Sequence, residues 1–292
     1  MTTLTAFLDL AVCPVSYDAV VFMAQADMER RRIGATRMHV VVVGEMRSKP
    51  QYDDHEARWR LWNIVVPAVS LFGATVTLSQ DWLQAERLAA FKEWKNWPHD
   101  WHVQTLKDRR HLIGGVIARA KDGEVVPRLQ ASEHARRKVR QFFGGRRVVT
   151  MTMRDTYLPE RNSDPLIWRA AQEEIRDRGF EVETLGDTDK ALALGRGYGE
   201  LNLDIRMAMY QEAVFNIQAN NGSASLCWFS DRPYVMMGAG VPEEEWDGLF
   251  VKQGLPLGES WPWAVPHQRI AYGPTSADQI VEEFDLWASA TR

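Results

Sequence analysis

The stretch Met207–Gly238, MAMYQEAVFNIQANNGSASLCWFSDRPYVMMG, decides the reading of this chain. An apolar run, Ala213–Ile217, leads into the turn Asn220-Asn221-Gly222-Ser223. A helix-like segment follows, then Arg232-Pro233 and a second apolar run, Tyr234–Met237. The order is strand, small-residue turn, helix start, strand. Where a strand hands over to a helix through Gly and Ser, backbone N–H groups point outward at a helix N-terminus. Hydrogen bonding and the helix dipole both favour an anion there. The stretch therefore marks a place for a phosphorylated ligand.

Working outward, the second half of the chain begins with a strand at Val148–Met153, a polar loop Arg154–Ser163 and a helix Asp164–Arg178. Ser163 or Asp164 caps that helix and Gly179 stops it, and a further strand runs over Glu181–Leu185. The first half has the same rhythm. An apolar segment, Leu4–Val12, and a loop, Cys13–Ser16, precede a helical pattern from Tyr17 that closes at Arg30–Arg32 and Gly34, with Ser16 as its cap. Met38–Val43 is a continuous apolar run, as in a strand buried on both faces. Asp54–Leu71 reads as a helix and Ala74–Leu78 as a strand. Strands alternating with helices imply right-handed βαβ units and parallel sheets. The polar helical segment Gln130–Gly145, ending in Gly144-Gly145, is the expected linker. That gives units 1–145 and 146–275, with an amphipathic helix at 276–292 that carries Ile280, Val281, Phe284 and Leu286 and is expected to pack back toward the first unit.

Composition excludes several classes. With 45% apolar and 25% charged residues among 292, the chain is globular, and its net charge of −4 offers no field for nucleic acid. Its two cysteines, Cys13 and Cys227, lack metal-ligand spacing and suit a reducing cytoplasm. The start of the sequence shows no secretory signal, and no apolar run approaches the ~18 residues of a membrane span. No Gly-x-Gly-x-x-Gly and no Gly-x-Ser-x-Gly are present, which disfavours a dinucleotide oxidoreductase and an α/β-hydrolase. No Asp-x-Asp triplet follows a strand, so a metal-dependent transferase of the single-domain type loses support.

Two Rossmann-like halves with one linker and a small-residue turn in the second half resemble the GT-B glycosyltransferases. The residues that carry the resemblance are Thr152–Ser163, Glu181–Asp187 and Phe215–Met236; WPWAVPHQRIAYG at Trp261–Gly273, then TSADQIVEEF, resembles proteins of polysaccharide neighbourhoods. The resemblance implies an α/β fold of two domains facing a cleft, with nucleotide-sugar held by the second half and acceptor by the first. It implies a glycosyltransferase needing no metal and no cofactor beyond its nucleotide-sugar donor. The acceptor is a glycan, a lipid-linked or a small molecule, the location is the cytoplasm, and peripheral contact with a membrane stays open. Asn221, Gly222 and Ser223 are expected at the diphosphate, Arg154 and Arg161 as its counter-charges, and Asn162 and Gln218 beside them. Asn162 would equally serve as a helix cap, and Arg154 and Arg161 as surface ion-pair partners. The general base is expected in the first half, at Asp18 or Glu45, with Asp9 weighed beside them. Asp18 would equally stabilise a first helical turn. Trp59, Trp62, Trp82, Trp94, Trp97 and Trp101 suit either a saccharide acceptor or a core. A non-catalytic GT-B-like protein that binds a nucleotide or scaffolds an assembly, and a sugar-nucleotide epimerase or hydrolase, are the alternatives.

Overall fold

The computed structural model describes residues 2–44, 53–79, 81–91, 94–103, 110–156, 162–187, 202–239 and 248–291. The chain divides into two compact units, Met1–Pro127 and Arg128–Arg292.

The first unit contains β1 (Thr3–Asp9), α1 (Asp18–Arg32), β2 (Arg37–Val43), α2 (Asp54–Arg60), α3 (Val66–Leu71), β3 (Thr75–Leu78), α4 (Trp82–Ala89), β4 (Trp94–Trp97) and α5 (Gly114–Lys121). Its strands form one parallel sheet in the order β3-β2-β1-β4. Val40–Val43 are all buried, as a continuous β-branched run requires. Helix α1 starts at Asp18, two residues after the expected cap Ser16, and Tyr17 takes the cap position. Ser16 Oγ accepts from Asp18 N at 3.2 Å and donates to the Asp18 carboxylate at 2.9 Å. Between α2 and α3 the helix widens into a π turn, Leu61–Val65. Pro67 stands two residues beyond it; it has no N–H to give to a carbonyl one turn back, and its ring crowds that carbonyl.

The second unit contains α6 (Glu133–Phe143), β5 (Val148–Met153), α7 (Pro165–Asp177), β6 (Glu181–Gly186), α8 (Leu203–Glu212), β7 (Phe215–Ala219), α9 (Ser225–Trp228), β8 (Tyr234–Ala239), α10 (Gly248–Lys252), β9 (Gln268–Tyr272) and α11 (Ala277–Ala290). The sheet is again parallel, in the order β6-β5-β7-β8-β9. The helix expected as a linker lies inside this unit, so the boundary falls at Pro127/Arg128 and not at Gly144-Gly145. The reason is its apolar stripe, Ala135, Val139 and Phe143, which is buried, while Arg136 reaches Glu212 of α8 at 2.7 Å and Ser132 Oγ reaches Asp204 at 2.6 Å. Gly144 ends α6 at φ 59°, a left-handed stop that glycine takes without steric cost.

The two faces of this second sheet differ. Val149, Met151, Met153, Phe215, Ile217, Val235 and Met237 form one apolar core with Trp168 of α7 and Ile280, Phe284 and Trp287 of α11. Trp287 stacks on Phe215, ring centroids 4.8 Å apart, and Phe284 meets Phe180 edge-on at 5.0 Å. The apolar face of the last helix thus has its partner within its own unit. The alternate residues, Thr150, Thr152, Asn216 and Gln218, are equally buried but polar, and Thr150 Oγ1 donates to Asn216 Oδ1 at 2.6 Å. Among the described residues, no helix is long and apolar enough to cross a membrane.

Candidate functional site

The carboxyl ends of β6, β5 and β7 form a continuous rim on the second sheet. Arg154 follows β5, and its Nη1 donates to the backbone oxygen of Asn220 at 2.5 Å, just beyond β7. The loop after β5 is drawn in by its own bonds. Arg154 N donates to Ser163 Oγ at 2.9 Å, and Ser163 N returns a bond to Arg154 O at 2.9 Å. Ser163 therefore holds the loop, while Asp164 caps α7 by accepting from Leu166 N. Asn162 accepts from Thr156 N at 2.7 Å and donates to Asp155 Oδ1 at 3.1 Å, which closes the base of the loop. From β6, Asp187 donates its N–H to Met153 O at 3.0 Å and accepts Asp155 N on Oδ1 at 3.1 Å.

The turn after β7 is built from the side chains expected to meet a ligand. Asn221 Oδ1 accepts from Ala224 N at 3.0 Å and from Ser223 Oγ at 2.9 Å, and both residues are buried. Gly222 between them is exposed. The helical segment beyond consists of a 3₁₀ turn, Gly222–Ala224, and the four-residue α9. So short a segment sums few peptide dipoles, which removes most of the macrodipole argument. What the turn presents is its backbone at Gly222, where the missing side chain permits close approach. Gln218 is wholly buried, on the face it shares with Thr152, and lies below the surface of the rim. Its two amide atoms and Asn221 Nδ2 are buried without a hydrogen-bond partner among the described residues.

The remaining expected residues fall apart from this rim. Asp18 lies in the first unit, half-buried in the first turn of α1 and bonded to Ser16. Asp9 is buried and accepts Ala11 N at 2.8 Å. Glu45 and Arg161 lie outside the described residues. Of the tryptophans, Trp97 and Trp101 belong to the interior, Trp101 stacking on Phe7 at 4.2 Å, while Trp82 stacks on Trp101 and remains 42% exposed. Asp187 was not singled out in the sequence, although it closes the strand Glu181–Leu185. Its signal was its place one residue past a Gly at a strand end, next to the strand that carries Arg154.

No family model matches the chain, and no curated protein does. Solved structures do. A glycosyl transferase family 9 protein from Veillonella parvula matches with a TM-score of 0.55 at 10% identity, over 99% of this chain and 98% of that one. The ADP-heptose lps heptosyltransferase II of E. coli matches with a TM-score of 0.54 at 15% identity, over 100% and 99%. The fold is that of the GT-B glycosyltransferases.

Within this fold the second sheet supplies what an open parallel sheet offers a ligand, namely adjacent strand ends that face one side. Arg154 and the Asn220–Gly222 turn are joined there by a direct hydrogen bond. Among the described residues, no three His, Cys, Asp or Glu side chains converge in a way that could hold a metal ion.

Proposed function

We propose that this chain is a glycosyltransferase that moves a sugar from a nucleotide-sugar donor to a glycan, lipid-linked or small-molecule acceptor. The donor diphosphate lies on the rim of the second sheet, against the Arg154 guanidinium and the exposed backbone of Gly222. The observation that carries this is the 2.5 Å bond from Arg154 to Asn220 O, which fixes a cation beside a turn whose exposed residue, Gly222, has no side chain. A held guanidinium stabilises a departing nucleoside diphosphate without reorganising at the moment of transfer. Arg161 adds a second positive charge, and Asn162 and Ser163 hold the loop. Asn221, Ser223 and Gln218 shape the turn and the floor beneath it. No metal is required, because arginine charge replaces it. The acceptor binds the first unit, where Asp18 or Glu45 takes the hydroxyl proton. The protein works in the cytoplasm, at a membrane face when its acceptor is lipid-linked. The E. coli neighbour takes ADP-heptose by its name, so ADP heads the ligands to try.

A second reading, nucleotide binding without transfer, draws on the bond that holds the Asp18 carboxylate to Ser16. Hydrolysis or transfer of a stabilising donor separates the two.

The test is calorimetry of ADP, UDP and GDP against the parent chain, Arg154→Ala and Gly222→Val. A charged hydrogen bond contributes roughly 1.5–3 kcal/mol, so Arg154→Ala weakens the diphosphate by about ten-fold or more. Gly222→Val blocks the approach of phosphate to backbone. The parent nucleoside binds all three proteins alike. Parental diphosphate affinity in both variants would overturn the reading.

A further inference from the structure

Arg206 of α8 is wholly buried, a costly place for a guanidinium that an apolar side chain could fill. Its hydrogen bonds lead to the rim. Nη2 donates to the backbone oxygen of Gly186, the last residue of β6, and Nη1 to Tyr210 Oη at 3.3 Å, one turn along the same helix. Tyr210 Oη shares a 2.9 Å bond with Thr152 Oγ1 of β5. Thr152 stands in register with Leu185 of β6 on one side and Gln218 of β7 on the other. One buried cation therefore ties α8 to the ends of β6 and β5.

Those ends carry the candidate site. The residue after Gly186 is Asp187, which bonds to Met153 O and receives Asp155 N. Arg154 lies between Met153 and Asp155 and reaches across to Asn220 O. A strand terminus fixed by a planar fork with several donors is held in angle as well as in distance, which a point charge does not achieve.

We propose that Arg206 is a positioning residue for the diphosphate site, acting through Gly186 and Asp187 on the loop that presents Arg154. The inference rests on the assignment of that site to a nucleoside diphosphate. Arg206 touches no ligand. It sets where the terminus of β6 lies, and thereby the geometry of the Asp155 backbone and the Arg154 side chain.

The experiment uses the full chain and the variants Arg206→Met, Arg206→Lys, Tyr210→Phe and Arg154→Ala. For each, the thermal midpoint and the Kd for ADP, UDP and GDP and for the matching nucleosides are measured well below the midpoint. Arg206→Met weakens the diphosphate by about ten-fold and leaves the nucleoside within about two-fold, and Arg206→Lys lies between it and the parent. Tyr210→Phe keeps the bond to Gly186, so its midpoint falls while its diphosphate affinity stays within about two-fold of the parent. A purely structural role would lower midpoints and leave the ratio of diphosphate to nucleoside affinity unchanged, which overturns the proposal. So would parental diphosphate affinity in folded Arg206 variants while Arg154→Ala loses it. Failure of both Arg206 variants to fold assigns the residue to folding alone and also overturns it. If Arg154→Ala itself keeps parental affinity, the site assignment falls first, a result distinguishable from the others.

Discussion

Phe284→Ala removes the ring at the centre of the second unit's core. The side chain is fully buried, meets Phe180 edge-on at 5.0 Å, and lies 5.6 Å from Trp287 and 6.3 Å from Phe215. Burying a phenyl ring and leaving a cavity in its place together cost about 3–5 kcal/mol, aromatic pairing included. The helix that carries it, α11, covers a sheet through this residue, Ile280 and Trp287, so partial collapse recovers little. For a unit of this size each kcal/mol moves the midpoint by roughly 2–4 °C, so the second unit should melt roughly 6–20 °C lower. Differential scanning calorimetry is the assay, because two compact units can give two transitions and only that of Arg128–Arg292 should move. Leu286→Ala, on the same helix but 47% exposed, serves as the comparison and stays within about 0.5 kcal/mol of the parent. A Phe284→Ala loss below about 1 kcal/mol would refute the core as described.

Gly115→Ala inverts the usual helix rule. Alanine gains up to about 1 kcal/mol in a helix, but here its Cβ would stand 2.4 Å from Gln25 Oε1, and Gln25 holds Arg110 O at 2.6 Å and Leu112 O at 3.2 Å. Displacing it costs about 1–3 kcal/mol, so urea denaturation should show a net loss that vanishes when Gln25→Ala is added. His39 supplies a pH dependence. Burial holds its imidazole pKa below the ordinary value, and Nδ1 shares a 2.7 Å bond with Thr75 Oγ1. Below a pH of about 6.5 the unfolded chain takes up a proton that the folded chain refuses, so stability is lost as pH falls through that value toward the lowered one. His39→Gln should flatten that slope in denaturation measured across the range, and an unchanged slope would count against it. Nucleoside diphosphate binding should be the same with and without a chelator; loss on chelation would contradict arginine as the counter-charge.

Much of the architecture was readable because apolar runs such as Val40–Val43 and Phe215–Ile217 are bounded by turn residues, and parallel alternation follows from them. The helix Glu133–Phe143 was misplaced because seven polar residues outvote a buried stripe of three, yet the stripe decides which unit it joins. The pairing of Arg154 with the Asn220 turn was legible, since adjacent parallel strands end on one side. The inward orientation of Asn221 and Ser223 was not. A small polar residue in a turn bonds a ligand or its own backbone with equal ease, and only the fold decides. Arg206 was invisible for a related reason. In the sequence LDIRMAMYQE it resembles any surface arginine, and its burial depends on Gly186, twenty residues earlier.

The most direct test of the account is a crystal structure of the chain with ADP, UDP or GDP, whichever binds best. Phosphate oxygens should lie within hydrogen-bond distance of the Arg154 guanidinium and of the backbone N–H at Gly222. A diphosphate bound anywhere else, or density on the rim with Arg154 turned away from it, would contradict the central claim.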